Sequence, residues 1–394
     1  MGGHKLKTRF RYHEEMEKDF PLKLMIKSLK SLAARKTYAG NYRRFLQWSG
    51  YKNGTELIAI EPKKLKLLII QYLDYLYEKG VSPNTIPSYV WTLQNFFENN
   101  DVDLNWKKIK KYLPEPIKLT GQNAYQTEHV KKMLSITKKL QHRALIHFFA
   151  ASGARRGTVF YQYNRDDKRP LVMGDLRDMP HGCKMVIGYR DTKDEFRTFL
   201  TPEAVEALED SWNERRHNGE IFTDQTPVFL TPKGIAMTEE DVKQIIARIV
   251  KYADVRGKKV NGRYPIQMIH GFRKRFNTIL KLKDDVNDNA IERMLAHKQG
   301  LDYHYLMITD EQLFNEYWKG VNELTIDSTA RDKIKIRELE KKAVPDQQEI
   351  AKEIMPEIMA KLRKELGLGT YPPEIIDNLS KQELQNLVKN FMVN

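Results

Sequence analysis

Five short stretches of this 394-residue chain carry side chains suited to gripping a phosphate and moving a proton. The first is Ser152-Gly153-Ala154-Arg155-Arg156, directly after an apolar run. Glycine lets the backbone approach closely, and a guanidinium beside it forks onto a phosphate. The second, Gly188-Tyr189-Arg190-Asp191-Thr192-Lys193-Asp194-Glu195, separates two strand-like runs and sets Lys193 near the tip of a hairpin. A lysine folded over a reacting group can protonate a leaving alkoxide. The third is His270-Gly271-Phe272-Arg273. Residues i and i+3 share a helix face, so the pair combines a phosphate grip with a proton carrier. The fourth, Met294-Leu295-Ala296-His297, ends a helix for which Gly300 is the expected left-handed cap. A histidine there is favoured by the helix dipole when charged. In the fifth, Tyr303-His304-Tyr305 precede Thr309 and Gln312, which have capping-box spacing. A helix therefore begins near Asp310, and Tyr305 falls in a short connection between helices.

Each stretch alone has an ordinary structural explanation. An Arg pair past a helix end, a hairpin lysine and a basic helix are commonly just solvated, and a lone tyrosine is usually core. Two identities stay open on the residues alone: Arg155 or Arg156, and Tyr305, Tyr303 or the more remote Tyr317.

The elements that must position these residues follow from periodicity. Apolar residues recur at helical spacing through Leu22, Met25, Ile26, Leu29 and Leu32, then Tyr38, Tyr42, Phe45 and Leu46, then Leu65, Leu68, Ile69, Tyr72, Leu73 and Leu76. Gly80 stops the last run, and Ser82-Pro83-Asn84-Thr85 starts another carrying Ile86, Tyr89, Val90, Leu93, Phe96 and Phe97. Residues 21–105 are thus expected to form a four-helix domain, preceded by a basic arm over 1–20 with Lys5, Lys7, Arg9 and Arg11. Lys107, Lys108, Lys110 and Lys111, followed by Pro114 and Pro116, mark a basic linker over 106–126. A second domain over 127–330 opens on Thr127 as an expected N-cap. It holds an apolar helix over 144–151, strands near 184–188, 195–200 and 228–230, and helices at 203–215, 239–252, 270–282 and 287–296. Residues 331–394 form a charged helical extension in which Ile350, Ile354, Ile358 and Leu362 repeat at helical spacing, interrupted at Pro356. The fold class is mainly α with a small β component.

Charge narrows the partner. The chain has 67 Lys or Arg against 52 Asp or Glu, a net +15. Residues 1–120 hold 22 of the cations and only 12 of the anions. A basic surface of this kind favours a polyanion, with nucleic acid ahead of an anionic membrane surface. The single cysteine, Cys183, supports neither a disulfide nor a Cys-based zinc site. No run reaches the roughly 20 apolar residues needed to span a bilayer, and the charged N-terminus lacks the apolar core of a signal peptide. A cytoplasmic protein is expected.

The order Gly-x-Arg, hairpin Lys, His-x-x-Arg, Leu-x-His and Tyr resembles the catalytic domain of the tyrosine recombinase (phage integrase) family. The spacing agrees across roughly residues 127–325, and the helical domain with its basic linker resembles the family's core-binding domain. Residues 302–326 look most like archaeal members. The resemblance implies an N-terminal four-helix core-binding domain plus an α+β catalytic domain. It also implies a site-specific recombinase that cleaves and rejoins DNA through a 3′-phosphotyrosyl intermediate, using neither metal nor cofactor. Arg155 then matches the first catalytic arginine, Lys193 the hairpin lysine that serves as general acid, and His270 with Arg273 the His-x-x-Arg pair. His297 matches the final histidine and Tyr305 the nucleophile. Ala296 stands where the family usually has glycine, and Thr158 stands near the place of an acidic residue that many members carry. Implied partners are double-stranded DNA and further copies of the chain, four on a pair of recombining sites. The competing readings are a type IB topoisomerase-like enzyme and a non-catalytic DNA-binding protein.

Overall fold

A computed structural model describes residues 19–117, 123–162, 167–260, 263–297 and 307–343. Residues 1–18 of the basic arm, Tyr303, Tyr305, Gly300 and the Ile350–Leu362 repeat lie outside the described residues, whereas Asp19 caps the first helix and Phe20 opens it. So do residues 118–122 of the expected linker.

The first core is built by helices α1 (Phe20–Ser28), α2 (Leu32–Ser49), α4 (Pro62–Glu78) and α5 (Ile86–Glu98), with the short α3 (Gly54–Ile58) between them. The periodic residues are the buried ones: Met25, Tyr42, Phe45, Leu65, Ile69, Ile86, Val90 and Phe96 pack in one cluster. Local capping sets the boundaries. Ser31 accepts from the Ala34 amide at 3.0 Å to start α2, and Gly50 ends it in the left-handed conformation at φ 78°. Helix α6 (Trp106–Ile109) falls within the range expected to be linker, yet Trp106 and Ile109 are buried in this same core. The lysines between them masked that signal, since a helix can bury one side of a basic turn.

The second core surrounds α8 (Leu140–Ser152), which is buried from Ala144 through Ser152. A helix apolar on every side must be central. Around it stand α7 (Thr127–Ser135), α9 (Pro202–His217), α10 (Glu239–Ala253) and α11 (His270–Lys281). A two-stranded pair, β1 (Phe160–Gln162) and β2 (Lys168–Pro170), lies beside a three-stranded antiparallel sheet. That sheet has the order β3 (Leu176–Met179), β4 (Cys183–Gly188), β5 (Phe196–Leu200). Strands β4 and β5 pair from Lys184↔Leu200 to Gly188↔Phe196, so residues 189–195 form the expected hairpin turn. Helices α12 (Asp288–Met294), α13 (Asp310–Lys319) and α14 (Val321–Leu324) follow. Helix α15 (Ser328–Ala343) belongs to a second unit that begins at Ser328. Mainly helical architecture with small antiparallel sheets agrees with the expected fold class. Among the described residues no helix is long and apolar enough to cross a membrane.

Two local expectations are corrected. Residues 228–230 are not a strand. Only isolated bridges occur, Val172↔Pro227 just before them and Leu230↔Ala236 at their end, and Val228 and Phe229 are buried. Thr127 does not cap α7. Gln126 holds the N-cap position, and its amide donates to His129 Nδ1 at 3.1 Å. The Thr127 hydroxyl instead accepts from Arg275 at 3.1 Å.

Candidate active site

The C-terminus of α8 positions the site. Helix ends leave carbonyls without intrahelical partners, and a buried end must find them elsewhere. Three side chains from three elements converge here. Tyr317 Oη on α13 donates to the Ala151 carbonyl at 3.1 Å, and Thr198 Oγ1 on β5 donates to that of Ser152 at 2.7 Å. Arg273 Nη1 on α11 donates to the Gly153 carbonyl at 3.0 Å. Gly153 itself must be glycine on two grounds. Its φ is +57°, and a Cβ there would lie 2.6 Å from the Phe276 ring. The chain then turns through Arg155.

Arg273 is buried, with only 4% of its surface exposed. Besides Gly153, its guanidinium donates to the Leu295 carbonyl and meets His297 Nε2 at 2.8 Å. Guanidinium has no acceptor, so Nε2 offers its lone pair and the imidazole proton sits on Nδ1. That proton faces Glu292 Oε2 at 2.5 Å, and Lys281 Nζ holds the other Glu292 oxygen, Oε1, at 2.5 Å. Burial pushes the Glu292 carboxyl up, but the Lys281 and His297 hydrogen bonds outweigh it and hold the group below its ordinary range. Glu292 was not among the residues singled out from sequence. A glutamate within a helix reads as a solvated charge; its place one turn before a C-terminal histidine is the signal that marks it.

Arg155 Nη2 donates to the Ala296 carbonyl at 3.0 Å, which brings it beside His297. Arg156 instead pairs with Glu239 at 3.2 Å. Of the two neighbouring arginines, then, Arg155 stands with Arg273 and His297. Burial, followed by the Arg155 charge, lowers the Arg273 pKa to about 10. Arg273 stays protonated at neutral pH, and the pocket holds two cations that would gain from an anion between them. His270 opens α11 one turn before Arg273 and is exposed. Partial desolvation of its ring, then Lys274, Arg273, His297 and Arg155, lower its pKa, which favours the neutral imidazole that can accept a proton. Lys193 is exposed in the β4–β5 turn. Tyr317 is fully buried and its hydroxyl is committed to Ala151, which removes it from the candidate nucleophiles. Thr158 is also fully buried.

Helix α12 ends without glycine. Ala296 takes the left-handed conformation at φ 52°. The His297 amide bonds to the Glu292 carbonyl and the Ala296 amide to that of Arg293, both at 2.9 Å. This is the Schellman pattern with alanine at the residue that glycine prefers. The expected cap, Gly300, comes too late, because the turn closes at Ala296. Left-handed alanine carries a steric cost, so Ala296→Gly is expected to raise stability by about 1 kcal/mol in urea unfolding. A loss of stability would show that the methyl group's packing outweighs its strain.

No family model and no curated protein matches the sequence. Solved structures do. The integrase of transposon Tn1549, in complex with transposon right end DNA, is 15% identical over 76% of this chain and 98% of that one, with a TM-score of 0.50. A lambda integrase dimer bound to a COC′ core site is 12% identical over 76% and 98%, at 0.48. XerH recombinase bound to difH substrate is 20% identical over 72% and 79%, at 0.47. With identity so low, what the Tn1549 integrase shares with this chain is architecture, and on that architecture the chain has the tyrosine recombinase fold.

Proposed function

We propose that the protein is a site-specific DNA recombinase that cleaves and rejoins strands through a 3′-phosphotyrosyl intermediate on Tyr305. The observation that carries this reading is the convergence of Arg155, Arg273 and His297 on the buried end of α8, within the tyrosine recombinase fold.

The chemistry suits a phosphodiester. Attack on phosphorus builds negative charge on the non-bridging oxygens, and two guanidiniums fork onto them at any useful pH. Free tyrosine has a pKa near 10, and neighbouring cations favour its phenolate. His270, neutral at pH 7, takes the phenol proton, and Lys193 returns one to the 5′ oxygen that leaves. Glu292 orients His297, and Arg273 is held in turn by His297. The phosphotyrosyl bond keeps the energy of the broken linkage, so attack by another 5′ hydroxyl reverses the step. The basic surface tracks duplex DNA, and affinity falls steeply with salt. Exchange between two sites engages four copies of the chain.

The test starts from a duplex selected from random sequence by binding to the Tyr305→Phe protein. The duplex is then nicked so that the cleaved 5′ fragment diffuses away. Wild type is expected to accumulate a covalent protein–DNA adduct whose peptide maps to Tyr305, and Tyr305→Phe none. An adduct on Tyr303 moves the nucleophile by two residues; absence of any adduct on the selected duplex refutes the enzyme.

A further inference from the structure

The β4–β5 turn begins at Tyr189, a non-glycine residue with φ 52°. Strained backbone persists only where surrounding contacts hold it. The Tyr189 ring meets Tyr161 edge-on at 5.2 Å and Phe196 at 5.7 Å. Its hydroxyl reaches across to the turn that carries Arg155. A Cβ built on Gly157 would stand 2.7 Å from Tyr189 Oη, while its next neighbour, Glu239 Oε1, is at 3.3 Å. Gly157 is therefore the residue that lets the hydroxyl seat. Burial raises the Tyr189 pKa, with Arg155 opposing, so the hydroxyl is neutral beside the cations.

The rest of the turn is rigid by its own bonds. The Tyr189 carbonyl accepts from the Thr192 amide at 3.0 Å and from Thr192 Oγ1 at 2.7 Å. The Asp191 amide donates to Glu195 at 2.8 Å, and that of Asp194 to Thr192 Oγ1 at 3.2 Å. Arg190 donates to the Gly174 carbonyl at 2.8 Å and lies 3.5 Å from the buried Asp175. A turn so bonded moves as one piece, and Lys193 moves with it.

We propose that Tyr189 is a positioning residue: its hydroxyl, seated on Gly157, sets the turn bearing Lys193 in place over Arg155 and Arg273. The inference rests on the proposed reading, in which Lys193 protonates the leaving 5′ oxygen. It assigns Gly157 a role as well, since any side chain there lifts the turn without touching a catalytic group.

The test uses the leaving group. In a duplex whose scissile 5′ oxygen is replaced by sulfur, the phosphorus–sulfur bond breaks to a thiolate that needs no proton. Gly157→Ala is expected to slow adduct formation on ordinary nicked duplex by at least about 10-fold, because general acid catalysis contributes about 10²–10⁴. On the sulfur duplex it should match wild type within a few-fold, as should Lys193→Ala. Tyr189→Phe, which removes the seated hydroxyl, should slow cleavage of ordinary DNA in the same way and leave the sulfur duplex within a few-fold of wild type. Equal slowing of Gly157→Ala on both duplexes, or full cleavage of ordinary DNA by Tyr189→Phe, overturns the proposal. Wild type inert on both duplexes, or Lys193→Ala slow on the sulfur duplex, instead overturns the reading beneath it.

Discussion

Arg273→Met is expected to slow covalent adduct formation by about 10²–10³ while lowering the unfolding midpoint by about 10 degrees or less. The two halves have separate causes. In the proposed reaction, Arg273 would face charge that grows on the non-bridging oxygens, and a single lost donor to such charge costs two to three decades. In the folded protein, its charge is poorly tolerated. Burial and Arg155 lower its pKa to about 10 from an ordinary 12.5, equivalent to about 3 kcal/mol against the charged form. The hydrogen bonds to Gly153, Leu295 and His297 offset this, each charge-assisted bond contributing about 1.5–3 kcal/mol. Methionine fills the volume and removes the repulsion but forfeits three bonds, so a net loss of about 1.5–6 kcal/mol remains. Single-turnover cleavage and thermal unfolding on the same preparation check both halves. Full cleavage activity in the variant would remove Arg273 from the phosphate grip; a fall of tens of degrees in Tm would make it a structural arginine.

Much of this arrangement is legible in the sequence because it is local. Thr309 and Gln312 form the capping box their spacing predicts, with bonds of 3.0 and 3.2 Å. The hairpin at 189–195 follows from two short β-rich runs around a polar turn, and the apolar run at 144–151 becomes the central helix. What escaped reading depends on partners distant in sequence. Glu292 is recognisable only once His297 and Lys281 are seen against it. Arg155 and Arg156 are equivalent in sequence, and only Ala296 and Glu239 tell them apart. Thr127 looks like a cap until Arg275 claims its hydroxyl. The left-handed Ala296 contradicts local propensity outright, and its carbonyl accepts a tertiary bond from Arg155. Local rules fail most where side chains from several elements meet, which is also where a site is built.

Arg275, two residues beyond Arg273 on the same helix, is expected to give the opposite result. Arg275→Met should lower unfolding free energy by about 3–5 kcal/mol. The Arg275 guanidinium is 2% exposed and donates to the Glu323 carbonyl at 3.0 Å and the Leu324 carbonyl at 3.3 Å. Next in the chain, the Ile326 and Asp327 amides donate to the Glu203 carboxylate at 2.7 and 2.9 Å. Arg275 thus holds the last carbonyls of α14, and the half-buried Glu203 carboxylate holds the amides that follow it. His147 does not share the load. Its Nδ1 lies 3.9 Å from Glu203, and burial drives its pKa to about 4, so it is neutral. Without Arg275, the Glu203 charge is left half-buried with only amides to meet it. The pH dependence gives the sign. Burial, opposed by the Ile326 and Asp327 amides, holds the Glu203 pKa above its ordinary value, and loss of Arg275 raises it further. A carboxyl whose folded pKa is raised contributes most stability below its unfolded pKa and loses that contribution as pH rises through the folded value. The deficit of Arg275→Met should therefore be larger at pH 8 than at pH 5. Urea unfolding of both proteins at the two pH values decides it: a deficit independent of pH would mean that Arg275 stabilises through its carbonyl bonds alone, without the Glu203 charge.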